Sequence, residues 1–202
     1  MQKIQAVIFD WGGVLAEDPF PGLASYCAAA LEVGEQEYCR AFNMFIDDFQ
    51  IDRITEQQFW SKMTGKLKVA MPKAKSLWGD AIAAVYQSRQ KVFSIAEGLK
   101  QARIKLAILS NTEKPCIEFL RRQLSDTFDT IVFSCLEGSA KPKSEIYELT
   151  LTRLGTQAGQ TLFIDDRPEN TEGAKRVGLH TILFEDVNQL KTALAGFDLN
   201  VV

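Results

Sequence analysis

Four short apolar runs, each halted by a polar residue, constrain this chain more than any other feature. They are AVIF at residues 6–9, LAIL at 106–109, TIVF at 130–133 and TLFI at 161–164; a fifth, TILF, follows Gly178 at 181–184. Rich in Val, Ile, Leu and Phe, they lack the period-two alternation of a strand with one wet face. Such runs suit strands buried on both faces, the condition inside a parallel sheet. Between and after them the spacing predicts helices over 94–103, 113–125, 143–154, 168–177 and 186–195. Strand alternating with helix predicts an α/β fold, a doubly wound parallel sheet of Rossmann-like form.

The stretch from 18 to 90 has a different texture. It holds no convincing strand but amphipathic stretches at 22–32, 35–49, 55–66 and 73–90. Thr55 with Gln58 has the pattern of a capping box, and Pro72 and Gly79 punctuate the later part. The reading is a helical cap (18–90) inserted into a core made of 1–17 and 91–202. A chain of 202 residues has room for both.

Charge and cysteine usage narrow the function classes. A formal net charge of −3 supplies no whole-chain basic field for nucleic acid or an anionic membrane. The four lysines between 66 and 75 read as a wet surface. Cys27, Cys39, Cys116 and Cys135 are scattered with no C-x-x-C pair, which suits free thiols in a reducing compartment. The first apolar run is too short for a signal peptide core or a membrane span, so the expected address is cytoplasmic. The single histidine, His180, stands at the entry to the fifth strand and reads as structural. Nothing in the sequence indicates an oligomeric state.

In open α/β sheets, ligands bind beyond the carboxyl ends of the strands. The residues directly after the runs are Asp10, Ser110 with Asn111, Ser134, and Asp165 with Asp166. Three carboxylates at one edge would repel one another unless a cation sat among them. Oxygen ligands beside a phosphate favour Mg²⁺. A carboxylate in such a place can attack phosphorus and carry the group as an acyl phosphate. Ser110, Asn111 and backbone N–H groups would hold phosphoryl oxygens, and Lys141 would add a positive charge. Each residue alone also has a plain reading as a cap, a turn or a solvated loop residue. Their succession at four strand ends is what favours the chemistry.

Four segments carry a family resemblance: VIFDWGGVL at 7–15, LAILSNT at 106–112, SCLEGSAKPKSEIY at 134–147 and LFIDDRPENTEGAKRVG at 162–178. Together they resemble the haloacid dehalogenase superfamily over nearly the whole chain. The resemblance is greatest to the branch with a helical cap after the first strand, to which ITEQQFW at 54–60 is also similar. That branch includes the phosphatase domain of soluble epoxide hydrolases and bacterial sugar-phosphate phosphatases. The resemblance implies a Mg²⁺-dependent phosphohydrolase of a small phosphorylated metabolite. It implies Asp10 as nucleophile and metal ligand, the Gly12 carbonyl and Asp166 as further ligands, and Asp165 acting through water. It also implies Ser110 and Asn111 on phosphate, Lys141 on the developing charge, and Asn170 in support.

One position departs from the phosphatase pattern. Gly12 stands where a second Asp usually protonates the leaving oxygen. Three expectations follow: a substrate whose leaving group needs little protonation, a substitute acid such as Glu17 or Asp18, or a chain that has left phosphate chemistry. A feebly catalytic binding or regulatory protein is the main alternative, and a haloacid dehalogenase the lesser one. The latter is weakened by Asp165 and Asp166, since its reaction needs no metal.

Overall fold

In a computed structural model, residues 3–124 and 126–199 are described. Five strands form one parallel sheet in the order β3-β2-β1-β4-β5: β1 Ala6–Phe9, β2 Lys105–Ser110, β3 Thr130–Phe133, β4 Thr161–Asp165 and β5 His180–Leu183. Each apolar run thus became a strand. In the central strands β1, β2 and β4 the lack of alternation is explained by burial on both faces, whereas the edge strand β5 leaves Leu183 exposed. Val7 and Phe9 point into one core with Leu106, Ile108, Leu162 and Ile164, while Ala6 and Ile8 point into the other with Ala107, Leu109 and Phe163. Successive side chains face opposite ways, yet both faces are dry.

Helices cover the two faces. On one lie α6 (Gln90–Gln101), α7 (Ile117–Gln123) and α11 (Val187–Ala195), and on the other α9 (Ser144–Leu154) and α10 (Pro168–Val177). The short α8 (Ser134–Glu137) follows β3 directly. The helix expected over 113–125 is realised as a tight turn at Lys114–Cys116 and α7; residue 125 lies outside the described residues. The helix expected from 94 starts four residues earlier, at Gln90.

Between β1 and α6 run α1 (Phe20–Ala30), α2 (Glu35–Phe42), α3 (Ile46–Gln50), α4 (Glu56–Leu67) and α5 (Leu77–Val85). The Thr55 hydroxyl accepts from Gln58 N and the Gln58 amide oxygen accepts from Thr55 N, so the capping box at the start of α4 is formed. Two expectations fail here. The single helix over 35–49 is broken at Asn43–Phe45, where N–H groups turn back three and four residues and Phe45 leaves helical geometry. The long stretch over 73–90 shrinks to α5. Ser76 Oγ caps its start, accepting from Gly79 N, and extended backbone at Tyr86 ends it, so Gly79 lies inside the helix and does not punctuate.

These helices share an aromatic core. Phe49 stacks on Phe59 at 4.5 Å between centroids, Phe42 on Trp78 at 5.6 Å, and Phe59 meets Trp60 edge-on at 5.0 Å. The same apolar cluster continues into the sheet face beneath. Tyr26 lies largely outside it, and Lys66, Lys68, Lys73 and Lys75 are exposed. His180 packs edge-on against Phe197, a structural contact. Among the described residues, no helix is long and apolar enough to cross a membrane.

Candidate active site

The strand order reverses about β1: the chain moves from β1 through β2 to β3 on one side, then returns to β4 on the other. A crevice forms at such a switch point beyond the carboxyl ends of the strands. Asp10 ends β1 and Asp165 ends β4, with Asp10 N donating to Ile164 O at 2.9 Å. Parallel pairing in register, Phe9 beside Ile164, therefore brings residues 155 positions apart to one edge.

Lys141 joins them. Its Nζ lies 2.6 Å from Asp10 Oδ1 and 2.7 Å from Asp165 Oδ2, with all three groups buried. Asn111 holds this lysine in place through its backbone: Lys141 N donates to Asn111 Oδ1 and Asn111 Nδ2 donates to Lys141 O, both at 2.9 Å. The Asn111 amide is thus engaged with the lysine loop, a use the sequence reading did not foresee. Ser110 is buried beside it and lines the cavity described below.

Asp165 is saturated by protein donors. Oδ1 accepts from Arg167 N at 2.9 Å and Asn170 Nδ2 at 3.0 Å, while Oδ2 takes Lys141 and a second contact from Asn170 at 3.1 Å. Asp166 differs: its Oδ1 is buried without a hydrogen-bond partner. One oxygen from each of Asp10, Asp165 and Asp166 falls within 4.8 Å of the others. Gly13 makes room for this cluster. Its φ is +94°, and a Cβ there would lie 2.3 Å from the Asp166 carboxyl carbon, so only glycine serves. Gly173 does the same for α10, where a Cβ would come within 2.7 Å of Pro142 O beside the lysine.

Three carboxylates and one ammonium leave an excess of negative charge in a dry place. Burial pushes Asp10 up to about 7; Lys141 opposes this, while Asp165 and Asp166 add to it. Asp166 is raised by burial and then by Asp165. For Lys141, burial works downward, but Asp10 and Asp165 hold the ammonium above its ordinary range. An unpartnered buried oxygen, hard oxygen donors and uncompensated charge are what a divalent cation such as Mg²⁺ would relieve, so the residues present fit that ion.

A cavity of about 460 Å³ lies between this edge and the helices, with Asp10, Gly12, Ser110, Asn111 and Lys141 at its floor and Phe20, Phe42 and Trp78 among its walls. Trp11, itself buried, also lines it, stacked on Tyr86 at 6.0 Å and edge-on to Phe93. Ser134 faces elsewhere: its hydroxyl accepts from Thr112 N and donates to Gln50 O at 2.6 Å, tying the β3 end to α3. Glu17 is held by Arg89 at 2.6 and 2.9 Å in a half-exposed pair that keeps its carboxyl below the usual range. Glu17 does not line the cavity, whereas Asp18 does. Arg89 also donates to Gly13 O, fastening the loop after β1. Neither Arg89 nor the buried Glu113, which accepts from Trp78 Nε1 at 2.8 Å, stood out in the sequence, because their partners are 35 or more residues away.

A family model described as haloacid dehalogenase-like hydrolase matches residues 4–178. Acyl-CoA dehydrogenase family member 10 of Mus musculus is 32% identical, over 99% of this chain and 20% of its own length. A sesquiterpene phosphatase of Aspergillus oryzae is 33% identical over 50% of this chain and 56% of its own. The chain thus spans less than two thirds of either relative. Among solved structures, a predicted HAD-like family hydrolase from Porphyromonas gingivalis superposes with a TM-score of 0.76 at 25% identity, covering 95% of this chain and 98% of that one.

Proposed function

The chain belongs to the haloacid dehalogenase-like hydrolases, and from that premise we propose that it hydrolyses a small phosphate monoester through a phosphorylated Asp10. The observation that carries this reading is Lys141, buried and bridging Asp10 to Asp165 on the floor of a cavity large enough for a small metabolite. A phosphatase among the relatives agrees with it.

In the first step an oxygen of ionised Asp10 forms a bond to phosphorus as the bond from phosphorus to the ester oxygen breaks. In the second, water adds to phosphorus, freeing Asp10 and inorganic phosphate. Lys141 keeps Asp10 oriented and offsets charge on the transferring group. Asn111 would act by positioning Lys141, and Ser110 would donate to a phosphoryl oxygen. Asp10, Asp166 and the Gly12 carbonyl would hold Mg²⁺, with Asp165 behind them, kept in place by Asn170. Bound there, the ion would supply positive charge for the phosphoryl oxygens and draw the Asp10 pKa down into the ionised range.

Helices 18–90 serve, in this reading, as a cap over the site. Gly12 offers no proton for the leaving oxygen, so esters with acidic leaving groups are favoured, and of Glu17 and Asp18 it is Asp18, which lines the cavity, that would act on others. Asp10→Asn should abolish Mg²⁺-dependent phosphate release from acetyl phosphate while the circular dichroism spectrum stays unchanged. Full release by that variant, or by the native protein in excess chelator, would overturn the mechanism.

A further inference from the structure

We propose that the group joined to the phosphate is an uncharged hydrocarbon body, and that sugars and compounds with a second anionic group are poor ligands. The proposal rests on the phosphohydrolase reading and names its substrate class. Its first support is the division of the cavity. The floor is polar, but the walls rising from it are built by Phe20 and Leu23 of α1, Phe42 of α2, Trp78 and Ile82 of α5, and Leu120 of α7. Four helices thus turn large apolar side chains toward one space. Trp78 adds no polar atom to it, because its indole N–H is already given to Glu113. It stacks on Phe42 with an interplanar angle of 15°, so the two rings form one continuous apolar surface.

The second support is the placement of charge. The cations lining the cavity are Lys141, engaged by two carboxylates, and Arg167, exposed at the sheet edge next to Asp166. Toward the helices, the ionisable groups are Asp18, Asp47 and Glu113, all acids. A second phosphate or carboxylate reaching toward the helices would meet like charge there, because Arg167 stands at the sheet edge, and this disfavours it. Above the floor the uncharged polar side chains are Asn43 and Gln50, against six large apolar ones, so a hydrocarbon gains more from burial there than a sugar whose hydroxyls leave water.

Competition separates this from its premise. Wild-type protein with Mg²⁺ is assayed for phosphate release from acetyl phosphate, whose body is too small to reach far up the walls. Inhibition by n-hexyl phosphate is compared with inhibition by ribose 5-phosphate; both carry the phosphate on a primary carbon, and either can compete whether or not it is turned over. The expected result is a hexyl phosphate inhibition constant at least about ten-fold lower. The ratio should fall toward one in Ile82→Asp and in Phe20→Asn; Phe20 is only half-buried, so its replacement spares the core. Equal or tighter inhibition by ribose 5-phosphate would overturn the proposal while leaving the phosphohydrolase reading intact. No acetyl phosphate turnover above that of Asp10→Asn would bring down both.

Discussion

At the carboxyl edge of the sheet, Lys141 sits buried between Asp10 and Asp165, both oxygens of Asp165 are taken by protein donors, and Asp166 Oδ1 is buried without a partner. A few residues away, the core of the helices is held by Phe42, Phe49, Phe59, Trp60 and Trp78, ring against ring. The first region holds charge in a dry place, where burial raises the Asp10 pKa against the pull of Lys141. The second gains stability by burying aromatic area. Substitutions in the two regions should therefore separate into losses of activity and losses of stability.

The largest separation is expected at Asp10. In Asp10→Asn, phosphate release should fall by at least about 10⁴-fold, about 5.5 kcal/mol. The denaturation midpoint should stay level or rise, because a buried charge is removed; a collapse of the midpoint would break the contrast. Next comes Phe59→Ala, fully buried between Phe49 and Trp78, which should cost about 3–5 kcal/mol of unfolding free energy in a denaturant titration. A loss below 1 kcal/mol would show that the helices are not held by this core.

A smaller effect tests the link between Asn111 and Lys141. Asn111→Ala removes both backbone bonds to the lysine, and a displacement of about 1 Å can lower kcat by up to about 100-fold. If Asn111 positions the lysine, kcat should fall more than KM rises; the reverse would make it a substrate contact. The smallest effect belongs to the helix cap. Thr55→Ala breaks the box at the start of α4 and should cost about 1 kcal/mol of stability with phosphate release unchanged in the folded protein.

What the sequence determined is local in its physics. Continuous apolar runs suit strands dry on both faces, as β1, β2 and β4 are, and the polar residue after each falls at one edge once the strands are parallel. The capping box was readable because both partners lie within four residues. Tertiary structure decided the rest. The break between α2 and α3 follows no Gly or Pro, and the early start of α6 follows the loop that Arg89 ties to Glu17 and Gly13. The pairing of Asn111 with Lys141, of Glu113 with Trp78 and of Ser134 with Gln50 joins residues 30 to 84 positions apart. Such contacts depend on strand order and on how helices lie over the sheet, which local periodicity does not encode. The same holds for the cavity walls: each apolar residue there has the periodicity of a core residue, and only packing decides which of them face the open space.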